Sequence, residues 1–320
     1  MLNKAIKNLL ITIIVGSIII LMLITSVKVE RDAVFLVDKN TSTRLVSKKM
    51  AKEKIIDNQV AFFILAKCYS ALYNKPIISG EYNLRSGLDA IEIIKILTGG
   101  KVIHHTLTIP EGFTIKQVLN RIAKIDNIEH LPIAIENIAE GSIMPDTYFY
   151  TYGTLDTTLI KRMQKAMNDF IAIEWQKRDI RIDQFISSPN EAIVLASIVE
   201  KETDTDSERP MIAGVYFNRL KKRMKLQACP TVIYGLNLSD NPDWDRRVRY
   251  SHLKSESEYN TYMNHGLPPK PICNPGRKAI LAVLHPKWSE NLFFVFKSKG
   301  KHIFAANFTE HKANIKNINR

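Results

Sequence analysis

Two carboxylates at the end of an apolar helix are the residues in this chain best placed to move protons. From Ala192 to Val199 only Ser197 is polar, and the run ends in Glu200 and Glu202. Ser188, Pro189 and Glu191 form a capping-box pattern with proline in the first turn, so a helix is expected to begin there. A segment this apolar belongs to a helix buried on most faces. At about 100° per residue, Glu200 shares a side with Ile193, Ala196 and Ser197, whereas Glu202 lies over Ile198 and Val199. The two acids therefore do not face one cleft. A carboxyl on an apolar helix loses solvation of its charged form, so its pKa rises and it can donate a proton to a leaving oxygen. Glu200 is the expected general acid; the alternative is that both glutamates are merely solvated where the helix reaches the surface.

A second block, Leu226 to Gly235, mixes hydrogen-bonding side chains with aromatic surface, as a sugar groove requires. Gln227 and Tyr234 from this block, with Asn218, Asn260 and Tyr262, are the candidate substrate-binding residues. Asn218 and Gln227 could equally brace helices. Tyr259, Tyr262 and Trp288 are candidate stacking surfaces, though core packing is the commoner use of such rings. No metal or cofactor is expected: the three cysteines, Cys68, Cys229 and Cys273, match no metal spacing, and His104 and His105 point to opposite faces of a strand. A Cys229–Cys273 disulfide remains open.

The elements that must position these residues begin outside water. From Leu9 to Val27 there is no charged residue, enough for one bilayer-spanning helix. A cleavable signal peptide would have a shorter apolar run ending in small residues, so an uncleaved anchor is expected. Lys4 and Lys7 precede it without an acid, which predicts a cytoplasmic N-terminus and an extracytoplasmic body. That topology sets the net charge of +13 against anionic lipid or cell-wall polymer rather than nucleic acid. Trp244 and the basic run Arg246 to Lys254 form a loop suited to an anionic polymer.

Beyond the anchor, Ala33 to Val37 reads as a strand, Ser47 to Tyr73 as helical, Ser79 to Leu84 as a strand, Leu88 to Leu97 as a helix closed by Gly99 and Gly100, and Val102 to Ile109 as a strand. Pro110 to Thr114 is a turn into a helix from Ile115, and Leu159 to Trp175, Met211 to Leu220 and Lys278 to Leu284 are further helices. The stretches Gly266 to Pro271 and Asn274 to Gly276 are stiff connections suited to a groove wall. Leu292 to Phe296 and His302 to Ala305 form a closing hairpin around Lys299 and Gly300. The whole is α+β.

These blocks resemble the membrane-anchored endolytic murein transglycosylases, the YceG-like family. The resemblance rests on TIPEGFT at Thr108–Thr114, GSIMPDTY at Gly141–Tyr148, LASIVEKET at Leu195–Thr203, FNRL at Phe217–Leu220 and LQACPTVIYG at Leu226–Gly235, then YNTY at Tyr259–Tyr262, GLPPKPICNPG at Gly266–Gly276 and HPKW at His285–Trp288. It implies a lyase that cuts between N-acetylmuramic acid and N-acetylglucosamine inside peptidoglycan strands and leaves a 1,6-anhydro end, with the family's glutamate falling on Glu200. It also implies a single N-terminal transmembrane helix, a small LysM-like α+β domain and a mixed α+β catalytic domain. The expected boundaries are a cytoplasmic tail over 1–7, the anchor over 8–28, the small domain over 29–105 and the catalytic domain over 106–320. Peptidoglycan strands, the membrane and peptidoglycan synthases are the expected partners. Cys229, where the family usually has an acidic or small polar residue, and Lys270 are departures.

Ordinary glycosidases use two carboxylates. Here one group serves twice: Glu200 protonates the leaving oxygen, then accepts the proton of the sugar's 6-hydroxyl as that oxygen attacks the anomeric carbon. A non-catalytic membrane-anchored cell-wall binding protein, a hydrolase and a basic nucleic-acid binder are the alternatives.

Overall fold

The computed structural model describes residues 2–132, 137–237, 247–298 and 300–318, with side chains from residue 6 onward. The side chain of Lys4, and Trp244, Arg246 and Lys299, lie outside the described residues. The chain divides into two compact units, Met1–Thr106 with Phe149–Thr154, and Leu107–Tyr148 with Leu155–Arg320.

The first unit opens with helix α1 (Leu2–Thr25). Its Ile6–Thr25 portion has mean hydropathy 2.6 and is the one helix among the described residues long and apolar enough to cross a membrane. No spacer follows it. Val27 and Val29 are buried in the unit's core, and Leu23 and Ile24 pack against it. Val29 N donates to Leu88 O at 3.0 Å and its carbonyl accepts from Gly87 N at 2.9 Å. Strands β1 (Ala33–Val37) and β2 (Gly80–Leu84) pair antiparallel with Phe35 opposite Tyr82, both fully buried.

The helical stretch expected from Ser47 onward is two helices, α2 (Thr43–Lys52) and α3 (Gln59–Tyr73). Lys54 in the left-handed region breaks the first, and Asn58 starts the second by accepting from Ala61 N at 3.0 Å. Helix α4 (Ala90–Thr98) starts two residues later than the apolar spacing predicts, because Asp89 and Glu92 close a capping box. The strand expected from Val102 shortens to β3 (His105–Thr108).

The chain then forms β5 (Thr147–Tyr150) and β6 (Thr154–Leu155), which straddle the unit boundaries, while the second unit holds α5 (Ile115–Ile122), β4 (Ile128–Glu129), the long α6 (Asp156–Trp175), α7 (Pro189–Glu202), α8 (Arg209–Lys221), α9 (Cys229–Gly235), α10 (Arg277–Leu284), hairpin strands β7 (Phe293–Ser298) and β8 (Lys301–Ala305), and α11 (Phe308–Ile318). Helix α7 is the axis of this unit: every residue from Ala192 to Glu200 is buried. Helices α8 and α10 pack on it. Its cap differs in detail from the expected box. Ser188 Oγ accepts from Glu191 N at 3.2 Å, but the Glu191 carboxylate reaches one residue further back, to Ser187 N at 2.6 Å. Helix α11 was not expected from spacing, although Asn307 and Glu310 cap each other at its start.

Candidate active site

Glu200 sits in the last turn of α7 with its side chain 5% exposed, and each of its oxygens accepts from a different donor. Arg209 Nη2 donates to Oε1 at 2.8 Å, and Gly276 N donates to Oε2 at 2.9 Å. Arg209 opens α8, where Pro210 suits the first turn because it has no N–H to satisfy. Its guanidinium is 4% exposed and also bonds Asp206, which in turn bonds Lys278. Glu111 stands 3.8 Å from Arg209 Nη2 and is 43% exposed. Three carboxylates, Glu200, Asp206 and Glu111, thus share one buried guanidinium.

Glu111 arrives on the turn Pro110-Glu111-Gly112, whose last residue takes a conformation that favours glycine. Gly112 has φ +75°, and a Cβ there would lie 3.6 Å from Glu200 Cγ, so the turn's backbone passes directly over the acid. Gly276 leaves the Glu111 carboxylate the space that a Cβ there would occupy.

The segment from Ile272 to Gly276 lies along α7 and ties these parts together. Ile272 N donates to Ser197 Oγ at 3.0 Å, Gly112 N to Asn274 O at 2.9 Å, and Asn274 N to Phe113 O at 2.9 Å. The buried Asn274 amide uses both ends. Its Oδ1 accepts from Ile143 N at 2.9 Å, and its Nδ2 donates to Phe113 O at 2.8 Å and Glu140 Oε1 at 3.1 Å. Glu140 also accepts from Ile115 N at 3.0 Å. Burial pushes the Glu140 carboxyl up to about 7 despite these donors.

Glu200 is buried, as the apolar helix predicts, and its two oxygens meet a cation and a backbone N–H. On the other face, burial raises the pKa of Glu202, opposed by the Tyr216 hydroxyl, which donates to it at 2.8 Å. Glu111 is raised by burial and then by the Glu200 charge, with Arg209 and Lys278 pulling the other way. The separate faces expected for Glu200 and Glu202 are found, with different partners on each.

None of the five expected substrate-binding side chains hydrogen-bonds Glu200. Asn218 Nδ2 donates to Ser289 O at 2.7 Å and Asn291 O at 2.9 Å, and so braces a loop. Gln227 Oε1 accepts from Arg219 at 3.3 Å. Asn260 is fully buried and its amide bonds its own loop, at Ser255 O (2.8 Å) and Leu253 O (3.0 Å). The Tyr262 hydroxyl meets the Cys229 thiol at 3.1 Å, and Tyr234 reaches Glu140 at 3.5 Å. Of these, Tyr234 is tied to the Glu140–Asn274 bonding network that borders Glu200. Trp288 packs on Phe217 and donates to Asp179 at 2.8 Å, beside a surface cavity of about 640 Å³. Cys68, Cys229 and Cys273 are all free thiols, so the open disulfide does not form.

Glu111, Arg209, Asn274 and Glu140 went unassigned in the sequence. Glu111 was visible only as part of a turn, and Arg209 only as a charged residue beside a proline. Their common signal is adjacency to glycine or proline at a position where backbone must approach a side chain.

One N-terminal helix long and apolar enough to cross a membrane, and two compact units, the second built around a buried acid–guanidinium centre, define an α+β protein with an enzyme-like site. The chain belongs to the YceG-like family, whose profile matches residues 35–317. It is 30% identical over 319 residues to the endolytic murein transglycosylase of Bacillus subtilis (strain 168), covering 88% of this chain and 85% of that one. A protein of the same description from Streptococcus pneumoniae (strain ATCC BAA-255 / R6) is 27% identical over 74% of this chain, which spans 50% of that relative's length. The crystal structure of a yceG-like protein from Listeria monocytogenes superposes with a TM-score of 0.55 at 27% identity, covering 89% of this chain and 99% of that one.

Proposed function

We propose that this protein is an endolytic peptidoglycan lytic transglycosylase, a carbon–oxygen lyase that cuts the MurNAc–GlcNAc bond within nascent strands and leaves a 1,6-anhydroMurNAc end. The relatives' names support the activity. The observation that carries the chemistry is Glu200, enclosed by Arg209, Gly276 N–H and Glu111.

Arg209 and Gly276 N–H each bond one oxygen of Glu200, the group that must first give a proton and then take one from the 6-hydroxyl. Protonating the leaving oxygen requires a proton delivered to the same place. Glu111, raised above the usual carboxylate range and half open to solvent, keeps a proton to higher pH than a free carboxyl and shares Arg209 with Glu200. In this reading Glu200 is the acid and then the base, and Glu111 and Arg209 set the charge around it. Tyr234 remains a candidate sugar contact; Asn218, Gln227, Asn260 and Tyr262 act through the loops they brace. The α1 helix anchors the chain with its N-terminus in the cytoplasm and the catalytic unit outside, where peptidoglycan synthases release strands and where a cut would terminate elongation. Residues 29–105 are read as the LysM-like domain and 106–320 as the catalytic one.

Glu111 also supports a second reading, hydrolysis, because a second carboxyl near the acid is what activation of water would use. Mass spectrometry of products released from purified glycan strands separates the two. Products lighter by one water than reducing-end sugars establish the lyase, reducing ends establish the hydrolase, and no release by the intact protein would overturn both.

A further inference from the structure

Helix α3 is apolar on two opposite faces, and only one of them has a partner. Ala61, Phe62, Leu65 and Ala66 are buried in the first unit's core. The other face carries Val60, Ile64, Cys68, Ala71 and Leu72, at steps of three and four residues, all exposed; Val60 is 65% and Leu72 77% exposed. An apolar stripe three turns long is costly to leave in water.

The fold says what lies beside it. Asn58, the N-cap of α3, donates to Ser26 Oγ at 3.3 Å, one residue past the end of α1. The stripe therefore starts where the bilayer-spanning helix leaves the hydrocarbon. Its charge has one sign: between Gln59 and Gly80 there is no acidic residue, and only Lys67, on the same face, and Lys75 are charged. Apolar side chains with one lysine among them and another just beyond their C-terminal end suit a helix lying in the headgroup layer of an anionic bilayer, the lysines reaching outward to lipid phosphates.

We propose that the outer face of α3 beds into the membrane surface beside α1, so that the first unit is held to the bilayer by two helices, one crossing and one lying flat. The proposal rests on α1 spanning the membrane and is independent of the reaction at Glu200.

Cys68 supplies the probe. In the Cys229→Ser protein, with Cys273 buried, a fluorophore is attached to Cys68 of the full chain in vesicles of phosphatidylcholine and phosphatidylglycerol. Two comparison labels are placed in Cys68→Ser, Cys229→Ser protein: Ile13→Cys in α1, and Lys165→Cys at a site whose side chain is 74% exposed. The expected result is that nitroxide lipid labelled near the headgroup quenches Cys68 strongly, while aqueous iodide quenches it several-fold less than the Lys165 position. Quenching by nitroxide at Ile13 alone, with Cys68 as open to iodide as Lys165, overturns the proposal and leaves the anchor intact. Absence of nitroxide quenching at both Ile13 and Cys68 overturns the anchor as well. Shielding of Cys68 from iodide without nitroxide quenching means that protein, a second copy included, covers the face, and this too overturns it.

Discussion

Each oxygen of Glu200 is already engaged, so changes at the site act on a charge balance rather than on one side chain. Replacing Glu200 by Gln removes the acid–base group and should lower release of anhydro products by about 10²–10⁴-fold, with the circular dichroism spectrum unchanged. Gly276→Ala puts a Cβ where the Glu111 carboxylate lies, so that the flexible, 43% exposed Glu111 side chain must swing out of its place beside Arg209. Misplacement on that scale should cost about 10²-fold in turnover, read against an unchanged melting temperature. Glu111→Gln removes a negative charge that is coupled to Glu200. A like charge nearby favours the protonated acid, so its loss should move the alkaline limb of the pH–rate profile to lower pH. A limb that stays in place or moves up would exclude the charge coupling. At this scale Glu200 was legible because an apolar helix ending in an acid is unusual and because the LASIVEKET block resembles the family's. Its partners were not, since Arg209 and Gly276 reach it from 9 and 76 positions along the chain and no periodicity links them.

The element that organises the site is not a helix but the segment from Ile272 to Gly276, held by Ser197, Gly112, Phe113, Ile143 and Glu140. The prolines and glycines around it made a groove wall legible in the sequence, while the buried amide of Asn274 that fixes it was hidden, because asparagine between turn residues normally signals only a turn. Asn274→Ala strands the Ile143 N–H and should lower stability by about 1–3 kcal/mol, measured as a lower denaturation midpoint with an unchanged slope. Glu140 makes this region pH-dependent. Its folded pKa, about 7, lies above its ordinary value of 4.5, so the folded state binds the extra proton. The stabilisation is complete below the ordinary value and is lost as pH rises through about 7. Melting temperature should therefore fall between pH 5 and pH 8, with a shallower fall in Glu140→Gln. The five polar residues expected to bind sugar have partners that their types did not disclose: four bond neighbouring loops or side chains, and Tyr234 connects to the Asn274 segment.

Across the molecule, hydropathy alone revealed a helix long and apolar enough to cross a membrane, and alternating helix and strand patterns revealed an α+β body. What it missed were interruptions set by single residues, such as Lys54 and Asn58 between α2 and α3, and a last helix whose caps outweigh its weak periodicity. The anchor is open to direct test. Val15→Arg with Ile19→Arg places two charges in the middle of α1, at about 2.5–3.5 kcal/mol each near a bilayer centre, and should shift the protein from the alkali-resistant membrane pellet to the soluble fraction. The join between α1 and the first unit has a separate consequence. Val27 and Val29 are core residues, and the stretch they lie on makes two isolated β-bridges, Lys28 with Asp89 and Val29 with Ile56. Proteases grip several residues of slack chain before they cut, and this stretch has none to offer. Shedding of the body at the bilayer's edge would have to wait for the first unit to unravel.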